Sequence, residues 1–236
     1  MVKMNGNTSY SRGVLLATQD GGKTWAQPGV GPPIAEAPRF LTLKQGWLAG
    51  GPTLEQGIAL YATSAGGGSW QIVLLKAPQQ MQPTASIDKI YPLVSQDSQH
   101  LFVPVAFREP DEKQPTLVLF ASNNGGQTWA QDATLPNYTS VSETTVAGST
   151  WITATISGTT LTLTKIALGA IPANGPATTV SANIGRISGG SASSQLSFAN
   201  DSQGWMLAAG NLLATTNGGV TWTDITPVQA RASERY

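Results

Sequence analysis

The chain has 236 residues and no net charge, since 13 basic side chains balance 13 acidic ones, and only 11% of its residues are charged. This composition argues against a nucleic-acid-binding protein, which needs a basic surface, and provides no polybasic signal for an acidic membrane. Cysteine is absent and histidine occurs once, which excludes disulfides and argues against a transition-metal site; no apolar run is long enough to span a bilayer.

The ends of the chain differ from its interior. Residues 1–12 are predicted to be a flexible segment and residues 227–236 a polar tail. Met1 to Met4 leads directly into polar residues, so no signal peptide is predicted at this start. The low charge and the Ser, Thr, Asn and Gln content are nevertheless typical of an exported protein. We therefore expect an extracellular, periplasmic or cell-surface protein whose signal or anchor is not in this segment.

Short strands separated by turn signals follow one another through residues 13–226, which predicts one all-β domain without cofactor or metal. A first hairpin is predicted at 13–19 and 24–28, before a connector rich in proline and glycine. Four strands then follow at 39–43, 46–51, 58–64 and 70–75. A second group is predicted at 89–94, 101–108, 116–123 and 129–135, with a charged, solvated loop at 109–115. A third group is predicted at 141–147, 151–157, 161–167 and 178–184, and a fourth at 194–199, 204–209, 211–216 and 222–226.

An eight-residue motif occurs four times, and we call its copies the turn repeats: residues 18–25, 63–70, 122–129 and 215–222. Each reads hydroxyl, any residue, Asp or Asn (Ala65 in the second copy), Gly, Gly, any residue, Thr or Ser, and Trp. The defining side chains and glycines are Thr18, Asp20, Gly22, Trp25, Thr63, Gly67, Trp70, Ser122, Asn124, Gly126, Trp129, Thr215, Asn217, Gly219 and Trp222.

The chemistry of the turn repeats predicts hairpin turns. Paired glycines permit the positive φ angles that a tight turn requires. The Asp or Asn and the leading hydroxyl can accept hydrogen bonds from the turn's own backbone, and the Trp can fold over the turn. The second repeat should be held less well, because Ala65 has no polar group.

The turn repeats resemble the Asp-box, or bacterial neuraminidase repeat, in which Ser or Thr, Asp, Gly, Thr and Trp recur at this spacing. The units Phe40 to Ala49 and Phe198 to Ala208, each with a Gly-Trp strand, are similar to the repeat of photosystem II stability/assembly factor-like proteins. The resemblance covers most of residues 13–226 and is poor from 137 to 190. It implies a β-propeller of four-stranded blades in which the Asp-box is structural and lies away from the central channel.

Four blades and a leading half-blade are predicted. The third positions of the turn repeats are residues 20, 65, 124 and 217, so the last interval holds two blades, one without a repeat. A five-bladed ring completed by the terminal segments is expected; the alternative is part of a larger propeller, which would expose strand edges.

Three cations are candidates for ligand binding. Arg39, Lys89 and Arg186 each fall at the predicted start of a blade's first strand, and the resemblance implies that first strands line the channel. They could bind an anionic ligand or an acidic partner segment. The alternative is that each is an isolated charge at a strand end.

An enzyme is the second hypothesis. Sialidase-like chemistry is disfavoured because the Arg-Ile-Pro motif is missing, and glycoside hydrolysis needs two facing carboxylates, for which Asp88 and Glu143 are the candidate pair. His100 follows Asp97 in an apparent turn and is predicted to lie at the surface. Trp47, Trp151 and Trp205 lie on second strands and are predicted to pack in the core.

The sequence therefore predicts a non-catalytic binding or assembly scaffold that presents loops and a channel mouth to a protein or an anionic ligand. A glycosidase-like or glycan-binding propeller is the alternative, and a degenerate structural module of a larger protein is a third possibility. No catalytic residue is assigned.

Overall fold

The computed structural model describes residues 14–32, 38–49, 57–78, 81, 85–110, 113–136, 143–168, 177–185, 194–208 and 210–227. The chain divides into two compact units, residues 1–138 and 139–236. The described residues form two antiparallel sheets in each unit, and we call these sheets blades 1 to 4 in chain order. Three have four strands, and in blade 2 the first of the four is divided in two.

The first unit contains blades 1 and 2. Blade 1 has strands β1 (Arg39–Phe40), β2 (Gly46–Ala49), β3 (Ile58–Thr63) and β4 (Gln71–Leu75), paired in that order. Blade 2 has β5 (Ser86–Ile90), β6 (Val94–Ser95), β7 (Leu101–Arg108), β8 (Thr116–Ser122) and β9 (Ala130–Leu135). Its first strand is divided, because β5 and β6 both pair with β7.

The second unit contains blades 3 and 4. Blade 3 has β10 (Glu143–Ala147), β11 (Thr150–Ser157), β12 (Thr160–Ala167) and β13 (Thr178–Asn183). Blade 4 has β14 (Gln195–Phe198), β15 (Gly204–Ala208), β16 (Asn211–Thr215) and β17 (Thr223–Asp224). Both sheets are paired in chain order.

The predicted fold class, an all-β propeller of four-stranded antiparallel blades, is confirmed, with four blades among the described residues. A five-bladed ring, and the single domain over 13–226, stay predictions. Residues 1–12 and 228–236 lie outside the described residues, as do 111 and 112 of the charged loop.

The first hairpin is shorter than predicted. Strands at 13–19 and 24–28 reduce to one antiparallel bridge, Ala17 with Ala26, whose two backbone hydrogen bonds measure 2.8 and 2.9 Å. No further strand of the described chain pairs with this ribbon, and an isolated two-stranded ribbon is only marginally stable. This explains why a regular ladder does not extend beyond the turn.

Facing blades enclose the core of each unit. In the first unit, Trp47, Ala49 and Leu60 of blade 1 pack with residues of blade 2 such as Val103 and Phe120. In the second unit, Ile152 and Leu163 of blade 3 belong to the same cluster as Phe198, Met206 and Leu213 of blade 4. Successive side chains along a strand point to opposite faces of the sheet, so Trp47 and Ala49, or Met206 and Ala208, lie on one face of their blade.

Candidate functional site

The turn repeats share one set of backbone hydrogen bonds. The leading hydroxyl accepts a hydrogen bond from the N–H of the second glycine, at 2.8 Å for Thr18, 3.1 Å for Thr63, 2.8 Å for Ser122 and 2.9 Å for Thr215. Both glycines of every copy have positive φ, such as 73° and 91° for Gly21 and Gly22. These positions therefore require glycine for its backbone conformation.

The Asp or Asn of a turn repeat links the two sides of the turn. Asp20 accepts hydrogen bonds from the backbone N–H of Thr24 at 2.9 Å and from its hydroxyl at 2.6 Å. The side-chain oxygen of Asn124 likewise accepts from the backbone N–H of Thr128 at 2.9 Å, but its amide N–H donates to the Thr128 hydroxyl at 2.8 Å. Asn217 makes the same two bonds with Thr221. The side-chain hydrogen bond from Thr24 is the largest cause that lowers the pKa of Asp20 to about 2.

The second turn repeat lacks this link. Ala65 offers no side-chain acceptor, so the bond across the turn to Ser69 is missing, whereas Thr63 still accepts hydrogen bonds from the backbone N–H groups of Ala65 and Gly67. The weaker turn expected from the sequence corresponds to this smaller set of hydrogen bonds.

The Trp of each turn repeat closes its own turn. The indole N–H of Trp25, Trp70, Trp129 and Trp222 donates to the carbonyl of the second glycine at 3.1 to 3.2 Å. The rings of Trp70 and Trp222 also meet Phe40 and Phe198 edge-on, at centroid distances of 6.4 and 6.2 Å. The Trp side chains are thus engaged in the turn and in ring packing.

Three turn repeats also join neighbouring elements. The N–H of the first glycine donates to the carbonyl of an earlier turn of the same blade: Gly66 to Lys44, Gly125 to Gln99 and Gly218 to Ser202. The second glycine lies against a side chain of the preceding element: Gly67 against Leu15, Gly126 against Trp47 and Gly219 against Leu163. In these three repeats both glycines therefore contact other parts of the same chain.

The candidate cations are placed on or near first strands. Arg39 begins β1 and is exposed, and its Nε donates to the Ser95 hydroxyl of β6 at 3.3 Å. Lys89 is also exposed, and its Nζ lies 4.2 Å from the centre of the Tyr91 ring. β5 begins three residues earlier than predicted, so Lys89 lies near its end rather than its start. Arg186 lies outside the described residues.

Neither Arg39 nor Lys89 forms an ion pair with a carboxylate in the part of the chain that the structure describes. The Arg39–Ser95 hydrogen bond joins the first strand of blade 1 to a first-strand segment of blade 2. The first strands of blades 1 and 2 thus carry two exposed cations that no carboxylate within the described ranges neutralises.

The two carboxylates considered for catalysis belong to different units, and each has a protein partner. The carboxylate of Asp88 accepts two hydrogen bonds from Arg108, at 2.7 and 3.3 Å, in an exposed ion pair. Glu143 is half-buried and accepts a hydrogen bond from the Ser194 hydroxyl at 3.0 Å. The structure does not test them as a catalytic pair.

His100 lies at the surface, as the sequence indicated. Its Nδ1 is 2.8 Å from a carboxylate oxygen of Asp97, and both side chains are about half exposed. The hydrogen bond from the His100 side chain is the largest cause that lowers the pKa of Asp97 to about 2. Asp97 therefore accepts a hydrogen bond from the His100 backbone and also bonds the His100 imidazole, which faces Asp97 within the same turn.

Two grooves in the first unit were not predicted. One of about 550 Å³ runs beside β4 from Val73 to Pro78 and is completed by Trp129 and Gln131 of blade 2. One of about 380 Å³ lies beside the second turn repeat, between Thr42 and Gln71. Both are formed by segments that are distant in sequence, so no local motif could indicate them.

The second-strand tryptophans do not behave alike. Trp47 and Trp151 are buried, as predicted, and the Trp151 indole donates to the Thr144 hydroxyl at 2.6 Å. Trp205 is 41% exposed, so the prediction that it packs in the core is wrong. Within its unit, the packing of blade 3 on blade 4 covers Met206, which points to the other side of β15.

The described residues include no group of three side chains suited to hold a metal ion. No helix in the described ranges is long and apolar enough to cross a membrane.

Comparison with known proteins gives little sequence similarity. No protein-family model matches the chain, and no curated protein is similar to it. Among solved structures, one titled "YCF48 bound to D1 peptide" matches this chain. The match covers 80% of this chain and 80% of the other, with 12% sequence identity and a TM-score of 0.27.

Proposed function

We propose that this chain is a non-catalytic binding scaffold of the Asp-box propeller type, exported or on the cell surface, and that Arg39 and Lys89 contact an acidic segment of a protein partner or another anionic ligand. The observation that carries the proposal is the pair of exposed cations on the first strands of blades 1 and 2, neither of which has an acidic partner among the described residues. An anion can accept charge-assisted hydrogen bonds from both.

The turn repeats support a structural role for themselves and a binding role elsewhere. Their hydroxyl, carboxylate, amide and indole groups are all used within the turns. This pattern is the one that the Asp-box resemblance implies, and it leaves the turns as rigid supports. Rigid blades that present cations at fixed positions bind with a smaller loss of conformational entropy than a flexible segment would.

A direct test uses a fluorescein-labelled hexaglutamate peptide as the probe. We expect its fluorescence anisotropy to rise with protein concentration, and the affinity to fall as salt is added. The double variant Arg39→Gln with Lys89→Gln should bind at least about tenfold more weakly, because two charge-assisted contacts are lost.

The matched control is the double variant Lys23→Gln with Lys44→Gln, which removes the same net charge from two other exposed positions. It should bind the probe nearly as well as the unchanged protein. Equal losses in the two double variants would show non-specific charge attraction and would contradict the proposed site.

Catalysis is tested separately with fluorogenic sialosides and nitrophenyl glycosides. The proposal expects no hydrolysis above the background rate. Turnover that disappears in Asp88→Asn or Glu143→Gln would overturn the non-catalytic assignment, since glycoside hydrolysis depends on such carboxylates.

A further inference from the structure

Two turn repeats contain an asparagine followed directly by a glycine, Asn124–Gly125 and Asn217–Gly218. This dipeptide is especially open to deamidation, because glycine has no side chain to hinder its backbone nitrogen from attacking the asparagine side chain. The first and second repeats carry Asp20 and Ala65 at the same position and lack the reactive amide. The third and fourth repeats are therefore candidate modification sites.

Deamidation at such a dipeptide needs only base and water. Base removes the proton from the glycine N–H, the nitrogen attacks the side-chain carbonyl carbon of the asparagine, and ammonia leaves as a succinimide ring closes. Water then opens the ring. Cleavage of the bond between the nitrogen and the side-chain carbon gives aspartate, and cleavage of the original peptide bond gives isoaspartate. Either product adds a negative charge to a chain whose formal net charge is zero.

The attacking nitrogen is already engaged at both sites. The N–H of Gly125 donates to the Gln99 carbonyl at 3.0 Å, and the N–H of Gly218 donates to the Ser202 carbonyl at 2.7 Å. Each acceptor lies in a turn of the same blade, so the bond belongs to the blade itself. Base-catalysed loss of an amide proton requires such a bond to open first.

The asparagine side chain is held as well. The Asn124 oxygen accepts from the N–H of Thr128 at 2.9 Å and from the hydroxyl of Ser122 at 3.0 Å, and its amide N–H donates to the Thr128 hydroxyl at 2.8 Å. Asn217 makes the corresponding bonds within its own turn. The side chain therefore cannot rotate towards the glycine nitrogen unless these hydrogen bonds break.

We propose that Asn124 and Asn217 are deamidation sites controlled by their turns, each converting only when its own turn repeat opens. Neither side chain is buried, so the hydrogen bonds, and not burial, hold the reaction back. Opening of the turn frees the glycine N–H and the amide together. The modified fraction at each position then records how often that turn opens.

The two products differ in what they do to the turn. Aspartate keeps the hydrogen bonds of the motif, as Asp20 shows by accepting from both the N–H and the hydroxyl of Thr24. Isoaspartate adds a carbon to the main chain, which shifts the glycine pair relative to the leading hydroxyl that bonds it. We therefore expect the turn to close again on aspartate and to stay open on isoaspartate.

Incubation of the full chain in mildly alkaline buffer, followed by digestion with pepsin in acid and mass spectrometry, tests the proposal. Both sites should convert about 100-fold more slowly in the folded protein than in the chain unfolded in guanidinium chloride, because several hydrogen bonds must open first. Thr128→Val removes a hydrogen-bond acceptor and should accelerate conversion at Asn124 by about two- to tenfold, with Asn217 unchanged. Thr221→Val should do the reverse.

Val103→Ala is the control for general loss of stability. Val103 is fully buried in the core of the unit that contains Asn124 and lies outside the turn. This variant should lower the temperature of thermal unfolding and leave the conversion rate at Asn124 nearly unchanged. An acceleration as large as that of Thr128→Val would show that the reaction follows unfolding of the whole unit, which would overturn the proposal.

Asp20→Asn isolates the contribution of the glycine hydrogen bond. It places the same dipeptide in the first turn repeat, where no acceptor for the Gly21 N–H lies among the described residues. Conversion at this position should be faster than at Asn124 and Asn217 of the same protein. Equal rates in the folded and unfolded chains, acceleration at both asparagines by either threonine variant, or conversion at position 20 as slow as at the other two would each contradict the proposal.

Discussion

A short polar side chain decides how firmly each turn of this chain is held. The leading hydroxyl satisfies the backbone of the glycine pair in every copy, but only Asp20, Asn124 and Asn217 reach across to the far side of the turn. Such side-chain to backbone bonds stabilise turns that the bare backbone would leave under-satisfied. The four copies therefore form a natural substitution series within one molecule.

Restoring the missing polar group should stabilise the second turn repeat. Ala65→Asn is expected to accept a hydrogen bond from the backbone of Ser69, as Asn124 does from Thr128, and to raise the free energy of unfolding by about 0.5–1.5 kcal/mol. Denaturant titration measures the change. Ser64→Asn, which adds the same side chain one residue earlier at an exposed position, is the control and should change stability little.

The Asp20 carboxyl should titrate with a pKa of about 2, below its ordinary value of 3.8, chiefly because it accepts the Thr24 hydroxyl and backbone hydrogen bonds. Because the pKa of Asp20 is lowered in the folded state, the charged carboxylate stabilises the first hairpin above pH 3.8. This stabilisation is lost as the pH falls through about 2. Carbon-detected NMR of the side-chain carboxyl measures it directly.

Asp20→Asn provides the comparison for this titration. Its amide should keep the link to Thr24, as Asn124 keeps the link to Thr128, but without pH dependence. The protection of the Thr24 amide, which is its exchange rate compared with the intrinsic rate at the same pH, should fall on acidification in the unchanged protein and not in the variant. An unperturbed carboxyl would contradict the assigned hydrogen bonds.

At the scale of the element, the blade is held by contacts between turns as well as by its strand ladders. The N–H of the first glycine of a turn repeat bonds the carbonyl of an earlier turn in blades 1, 2 and 4, so the two turns at one end of each of these sheets are tied together. The second glycine then allows the turn to approach the preceding element closely. The glycine pair thus ties two turns of its own blade together and also lets that blade pack closely on the preceding element.

Gly126→Ala should separate these effects. Gly126 has a φ of 87°, and an added Cβ would collide with the Trp47 ring. We expect a loss of about 2–5 kcal/mol in the free energy of unfolding, from the backbone conformation together with overpacking. Gly21→Ala is the matched control: its φ is 73° and a Cβ there meets nothing within 4 Å.

The difference between the two glycine variants measures the contact with Trp47. In a protein that already carries Trp47→Leu, Gly126→Ala should cost less free energy of unfolding than in the unchanged protein, because the smaller side chain relieves the collision with the added Cβ. Equal losses for Gly21→Ala and Gly126→Ala would show that only the backbone conformation matters.

Much of the blade architecture could be predicted because it is encoded locally. Glycine pairs, turn polar residues and period-two strands are readable in short windows, and the predicted strands of blades 1, 3 and 4 lie within a few residues of those observed. The divided first strand of blade 2 could not be predicted in this way, since it depends on how β5 and β6 each pair with β7.

For the molecule as a whole, function depends on surfaces that local patterns do not specify. Trp47 and Trp205 occupy equivalent sequence contexts, yet one is buried and the other exposed, because burial depends on what packs against the sheet. The groove beside Trp129 likewise forms between strands distant in sequence. The fold is shared by proteins of many functions, so the proposed binding role rests on the particular cations of this chain and not on the fold.

Arg39 and Lys89 are the residues to which we assign the proposed binding role. Both are exposed, and among the described residues neither is neutralised by a carboxylate, whereas Asp88 is paired with Arg108 and Glu143 accepts a hydrogen bond from Ser194. The candidate carboxylates are thus committed to protein contacts while the candidate cations can take an external anion.

Chemical-shift mapping of the isotopically labelled chain with the unlabelled hexaglutamate peptide tests the binding site most directly. The account predicts saturable shifts centred on Arg39, Lys89 and Ser95, with little change at the turn repeats. Shifts concentrated at the turn repeats, shifts spread evenly over exposed lysines, or no shifts would contradict it.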